Sequence, residues 1–115
     1  MAGLLKLGVL ISGGGSNLQS IIDHIEKGAL PARIQIVISN NPDAPGLARA
    51  QRHGIACTVL SHRDFSSREE YDSELTRILK DAGAELIVLA GFMRILSGGF
   101  LRAFEDRVIN IHPAL

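Results

Sequence analysis

The sequence predicts an open α/β sheet, mostly parallel, with helices on both faces. Apolar runs alternate along the 115 residues with segments of helical periodicity, and the connections between them are short. The apolar runs are nearly continuous, as expected for parallel strands that are buried on both faces. Short alternating segments of this kind form right-handed parallel βαβ units, so we expect an architecture of the general Rossmann type.

The first three elements are a strand, a helix and a second strand. Residues 7–11 form an apolar run that ends at a cluster of glycines, which predicts the first strand. Residues 16–27 carry a leucine and three isoleucines at helical spacing, and Gly28 is a stop signal for that helix. Residues 34–38 are β-branched and apolar with one exception, which predicts the second strand.

The middle of the chain predicts a short helix over residues 45–53, a strand over residues 55–60 and a long helix over residues 67–82. The long helix has the clearest pattern, because Ser67 can cap it and Glu70 stands three residues later. Its apolar stripe consists of Tyr71, Leu75, Ile78 and Leu79. The remaining elements are a strand at 86–90, a short helix at 99–104 and a last strand at 108–111. We expect one α/β domain over the chain.

Composition and charge narrow the class of protein. Hydrophobic residues make up 46% and charged residues 21%, the balance of a soluble globular domain. Twelve basic residues match twelve acidic ones, which argues against a surface that binds nucleic acid or a membrane. The single Cys57 excludes a disulfide within the chain and fits a reducing compartment. With no signal peptide evident and no metal-ligand motif, we expect a cytoplasmic protein without a bound metal.

Ligands of open α/β sheets bind beyond the carboxyl ends of the strands. Glycines and unusual polar residues concentrate in the segments that follow the predicted strands, namely 12–17, 39–41, 61–68, 91–96 and 110–112. These five segments are therefore the candidate ligand-binding edge.

The loop ISGGGSNLQS lets the backbone approach a ligand at its glycines and presents the N-terminus of a helix, which favours a phosphate. A dinucleotide is not indicated, since the third fingerprint glycine is Leu18 and residues 39–41 contain no acidic residue. A P-loop lysine is absent as well, so a monophosphate fits best. The alternative is that Ser16 merely caps a helix after a tight turn.

The chain ends in VINIHPAL, where Asn110 and His112 share one face of the last predicted strand. An amide and an imidazole side by side form either a structural pair or part of an active site. Their spacing alone leaves both interpretations open.

Four motifs in order, ISGGGSNLQ, REEYDSEL, LAGFMRILS and NIHPAL, resemble the glycinamide ribonucleotide formyltransferase family of purine biosynthesis over the whole chain. NIHP alone is typical of folate-dependent formyl transferases and hydrolases in general, whereas the Gly-Ser-Asn loop with GFMRIL is more specific. One departure is Ala114, where the family usually has serine.

The resemblance implies formyl transfer from 10-formyltetrahydrofolate to glycinamide ribonucleotide, with both small molecules as the binding partners. It assigns the catalytic pair as Asn110 and His112. It assigns the substrate phosphate to Gly15, Ser16 and Asn17. It assigns the folate to Arg68, Met93, Arg94, Ile95, Leu96 and Asn110.

The implied chemistry explains the residue types at the chain end. When an amine attacks a formyl carbon, the carbonyl oxygen becomes an oxyanion that the Asn110 amide and a protonated His112 can stabilise. The family supplies an aspartate that favours the charged imidazole from a segment beyond NIHP. We therefore expect an N-terminal part of the family fold that is poorly active alone.

Two other functions stay open. A formyltetrahydrofolate deformylase would pass the formyl group to water with the same pair, and a non-catalytic nucleotide-binding module would use only the glycine loop. The sequence leaves the oligomeric state open.

Overall fold

A computed structural model of the chain describes residues 3–111. Its strands are β1 (Leu5–Ile11), β2 (Ala32–Ser39), β3 (Cys57–Val59), β4 (Leu86–Ala90) and β5 (Val108–Ile111). Its α-helices are α1 (Ser16–Glu26), α2 (Gly46–Arg52), α3 (Arg68–Asp81) and α4 (Gly98–Ala103). A 3₁₀ turn, His62–Asp64, follows β3 and was not expected from the sequence.

The five described strands form one sheet in the order β3-β2-β1-β4-β5, and every neighbouring pair is parallel. The predicted fold class is confirmed, and β4 and β5 have the predicted bounds. The third strand is shorter than predicted, because only Cys57–Val59 pairs with β2 at this edge of the sheet.

The core consists of two apolar layers, one on each face of the sheet. Alternate residues of the strands point to opposite faces, so Val9 and Ile11 belong to one layer and Leu10 to the other. Helices α1 and α2 cover the first layer, and α3 and α4 cover the second. Strands buried on both sides explain the nearly continuous apolar runs of the sequence.

Helix α3 begins as the sequence predicts. The Ser67 hydroxyl accepts a hydrogen bond from the Glu70 amide at 3.1 Å, which satisfies a backbone group that the first turn leaves unpaired. The predicted apolar stripe packs on the sheet, with Tyr71, Leu75 and Leu79 fully buried. This packing fixes where the start of α3 lies relative to the ends of the strands.

The direction of winding reverses between β1 and β4, which are neighbours in the sheet but far apart in sequence. At such a switch point the connections that leave the two strands go to opposite faces, and a crevice opens at their carboxyl ends. The glycine loop after β1 and the segment after β4 meet at this crevice. None of the helices in residues 3–111 is long and apolar enough to cross a bilayer.

Candidate functional site

The glycine loop, residues 13–15, follows β1 after Ser12 and leads directly into α1. Gly15 is the N-cap residue, in the left-handed conformation at φ 79°, and makes no side-chain cap. Ser16 is the first residue of α1, so the interpretation that Ser16 merely caps this helix is wrong. The exposed Ser16 and half-buried Asn17 thus stand in the first turn, beside amides that the helix leaves without partners.

Helix α2 holds the glycine loop from the side. The Gly46 amide donates to the Gly13 carbonyl oxygen at 3.0 Å. A Cβ atom added to Gly15 would lie 2.7 Å from the Gly46 Cα, so the two backbones approach too closely for any side chain there. The loop is therefore fixed by the packing of two glycines as well as by its own turn.

Arg49 on α2 is a loop contact that the sequence analysis missed. Its Nε donates to the Gly14 carbonyl oxygen at 2.7 Å, and its Nη1 donates to the Gln19 Oε1 at 3.4 Å. The half-buried guanidinium places a positive charge against the loop that was predicted to bind a phosphate. Arg49 lies 35 positions from Gly14, and only the packing of α2 brings them together.

Residues 91–97, which follow β4, form a second loop, here called the 91–97 segment. Its backbone is held at two points: the Met93 amide donates to the Ser12 hydroxyl at 2.8 Å, and the Ser97 amide donates to the Asp72 Oδ2 at 2.5 Å. Between these anchors the Arg94 guanidinium stacks 4.3 Å above the Tyr71 ring.

The side chains of this segment alternate between solvent and core. Met93 is 82% exposed and Ile95 is 72% exposed, whereas Leu96 packs against the core layer under α3 and α4. Two large apolar side chains exposed within three residues of a surface loop are unusual, because burying their apolar area would be favourable. Their exposure makes the segment a candidate surface for an apolar ligand.

The start of α3 supplies two side chains that contact the 91–97 segment, the Asp72 carboxylate on the Ser97 amide and the Tyr71 ring under Arg94. Asp72 is 2% exposed, and its Oδ1 has no hydrogen-bond partner among residues 3–111. Burying a carboxylate in this way costs stability, which the contact with Ser97 offsets in part. The Tyr71 hydroxyl donates to the Leu60 carbonyl oxygen at 2.7 Å. This hydrogen bond connects the start of α3 to the residue that follows β3.

Burial raises the pKa of Tyr71 to about 12, opposed by the neighbouring Arg94 charge and assisted by Asp72. The folded protein keeps this proton where an unfolded chain loses it, so the stability should fall as the pH rises from about 10 to about 12. We expect phenolate absorbance of Tyr71, taken as the difference from Tyr71→Phe, to develop only near the upper end of that window. Titration at the pH of a free tyrosine would contradict this environment.

Two of the remaining predicted site residues, Asn110 and Arg68, lie along the candidate ligand-binding edge at the carboxyl ends of the strands. Asn110 is exposed near the carboxyl end of β5, where it pairs with Leu89 of β4 in the sheet register. Arg68 is exposed as the first residue of α3. His112, the other half of the predicted catalytic pair, lies outside the described residues.

A cavity of about 470 Å³ opens at this edge between the ends of β1, β2 and β3. Its lining includes Ser12, Asn40, Asp43, His62, Arg63 and Met93. Within residues 3–111, no group of three or more His, Cys, Asp or Glu side chains is placed to hold a metal ion. The lining of this cavity offers hydrogen-bonding, charged and apolar groups.

The sequence profile of formyl transferases matches residues 5–115, nearly the whole chain. The chain belongs to the formyl transferase family. The resemblance inferred from the four motifs is thereby confirmed, including its more specific part, because the similar proteins are purine-biosynthetic.

Curated relatives of this formyl transferase chain are similar over 96% of its length. It is 54% identical over 112 residues to the trifunctional purine biosynthetic protein adenosine-3 of Drosophila melanogaster, of which it covers 8%. It is 46% identical over 111 residues to the phosphoribosylglycinamide formyltransferase of Escherichia coli, of which it covers 52%. The chain thus spans about half the length of the bacterial relative.

Solved structures of formyl transferases agree with the fold. Glycinamide ribonucleotide transformylase 1 from Symbiobacterium toebii superposes with a TM-score of 0.95 at 42% identity, covering 100% of this chain and 54% of the other. The phosphoribosylglycinamide formyltransferase of Coxiella burnetii, solved with CHES, gives a TM-score of 0.92 at 47% identity, covering 96% and 52% of the two chains.

Proposed function

We propose that this protein transfers a formyl group from 10-formyltetrahydrofolate to the amine of glycinamide ribonucleotide, a step of purine biosynthesis. The observation that carries the proposal is the meeting of two unlike surfaces at the switch point of the sheet. One is a glycine loop at a helix N-terminus, suited to a phosphate, and the other is the 91–97 segment with its exposed apolar side chains.

The acceptor is proposed to bind through its phosphate at Gly15, Ser16 and Asn17. The backbone amides of the first turn of α1 and the positive end of its dipole favour a dianion there. The contact of Arg49 with Gly14 adds positive charge beside the loop. The amine at the other end of the acceptor would then extend toward the ends of β4 and β5.

The donor is proposed to lie on the 91–97 segment and against Arg68. Met93 and Ile95 are exposed and suited to apolar contact with a pteridine, whereas Arg94 and Leu96 point inward and would contribute through their backbone groups. This division refines the sequence interpretation, which assigned the four residues to the folate together.

Asn110 and His112 are proposed to act on the formyl carbon. The acceptor amine attacks this carbon, and the formyl oxygen gains the negative charge of a tetrahedral intermediate. The Asn110 amide and the imidazolium of His112 would donate hydrogen bonds to that oxygen. The histidine would also assist transfer of the proton that leaves the amine. Collapse of the intermediate breaks the bond between the formyl carbon and the folate nitrogen, that nitrogen takes up the proton lost by the amine, and tetrahydrofolate is released.

The decisive experiment follows loss of the formyl group from 10-formyltetrahydrofolate by the native gene product, with and without glycinamide ribonucleotide. Formyl transfer that requires the ribonucleotide supports the proposal. Release of formate at the same rate without it would indicate a deformylase, and binding of the ribonucleotide without turnover would indicate a binding module.

Because both substrates are small cellular metabolites, we propose a cytoplasmic location.

Arg49→Ala should weaken binding of glycinamide ribonucleotide about tenfold, because a charge-assisted contact to the phosphate loop is lost. Calorimetric titration measures the affinity directly. Arg52→Ala, an exposed arginine of the same helix, is the matched control for a general loss of positive charge. Equal losses in the two variants would mean that net charge, and not the contact with Gly14, determines affinity.

A further inference from the structure

One hydroxyl group links the ends of three neighbouring strands. Ser12 follows the last residue of β1, and its Oγ donates to the Asn40 Oδ1 at 2.6 Å, just beyond β2. The same Oγ accepts from the Met93 amide at 2.8 Å, three residues beyond β4. Ser12 is also the residue directly before the glycine loop.

The direction of these hydrogen bonds follows from the groups involved. A backbone amide can only donate, so the Met93 amide uses a lone pair of the Ser12 oxygen. The single hydroxyl proton is then directed to the side-chain amide oxygen of Asn40, Oδ1, which is an acceptor. Ser12 is half-buried, which limits competition from water and makes the arrangement more rigid than one on an open surface.

We propose that Ser12 is a positioning residue that sets the distance between the two substrates. This inference rests on the proposed formyl transfer. The acceptor loop follows Ser12 through the peptide chain, and the donor segment is tied to it through Met93. A change at this hydroxyl would shift the 91–97 segment relative to the glycine loop while leaving the contacts within each binding surface in place.

Positioning of this kind affects the rate more than binding, since a displacement of about 1 Å between reacting groups can cost about 10²-fold in rate. The test is steady-state kinetics on the native gene product and on Ser12→Ala. We expect kcat to fall roughly 10- to 100-fold, with the KM for each substrate within about threefold of the wild-type value. Ser12→Thr keeps a hydroxyl and should recover most of the loss.

Ser73→Ala is the matched control, because Ser73 is an exposed serine on α3 that takes no part in the hydrogen bonds of Ser12, and the kinetics of this variant should equal those of the wild type. An increase in either KM with kcat unchanged would overturn the inference and assign Ser12 to one binding surface. Unchanged kinetics in Ser12→Ala, or equal losses in the alanine and threonine variants, would overturn it as well.

The wild-type measurement separates this inference from the proposed function. Without formyl transfer by the wild-type protein, the proposed function fails and the positioning role fails with it. With an active wild type, the outcomes for Ser12 bear on the positioning role alone. If Ser12→Ala does not fold, Asn40→Ala removes the proton acceptor instead: a fall in kcat at constant KM supports the role, and unchanged kinetics overturn it.

Discussion

Replacing Asn110 by alanine in the native gene product is expected to lower kcat by about 10²–10³-fold with little change in either KM. The reason is that, in the proposed mechanism, the Asn110 amide donates to the developing oxyanion, and such a contact contributes mainly in the transition state. Asn110 is exposed at the edge of the sheet, so the substitution should cost little stability. Steady-state kinetics, with circular dichroism to verify folding, measure both effects.

Asn110→Asp is the sharper companion variant, because it keeps the shape of the side chain and replaces its NH₂ donor with an oxygen. We expect it to be at least as impaired as the alanine variant, since a carboxylate would repel the oxyanion. A rise in KM with kcat preserved in both variants would instead mean that Asn110 holds a substrate.

His112→Ala, the counterpart at the other predicted catalytic position, should also lower kcat by roughly 10²-fold or more.

The sheet could be predicted from the sequence because its strands are buried on both faces. Such strands appear as continuous apolar runs, and β4 and β5 begin and end where those runs do. The third strand was predicted to be six residues long from 55–60, yet only Cys57–Val59 pairs with a neighbour. The length of an edge strand depends on where its one neighbouring strand ends. The local sequence pattern carries no information about that neighbour.

The glycine loop was likewise located correctly, because its conformational requirements are local. The contacts that hold it are not local: Arg49 reaches Gly14 from another helix. Tyr71 was correctly placed in the apolar stripe of α3, but its stacking on Arg94 depends on a segment that follows a different strand. Asp72 stands beside that stripe, where a carboxylate is normally solvated, and nothing in the helical pattern indicates its burial.

The tight packing of the glycine loop leads to a prediction on both stability and binding. Gly15→Ala should lower the free energy of unfolding by about 2–4 kcal/mol, since an alanine is strained in the left-handed conformation and its Cβ meets the Gly46 backbone. Gly14→Ala is the matched control from the same loop, because a Cβ there has no atom within 4 Å and no positive φ to adopt. Its stability should change by less than about 1 kcal/mol.

Denaturant unfolding of the two variants measures the difference in stability, and calorimetric titration with glycinamide ribonucleotide measures the effect on binding. We expect the affinity to fall more in Gly15→Ala, because relief of the clash must move either the N-terminus of α1 or helix α2, which displaces the amides that are proposed to bind the phosphate. Should both variants unfold at the same denaturant concentration, the close approach of Gly15 to Gly46 would not be what fixes the loop. A stable Gly15→Ala protein with undiminished affinity would mean that phosphate binding does not depend on the conformation of this turn.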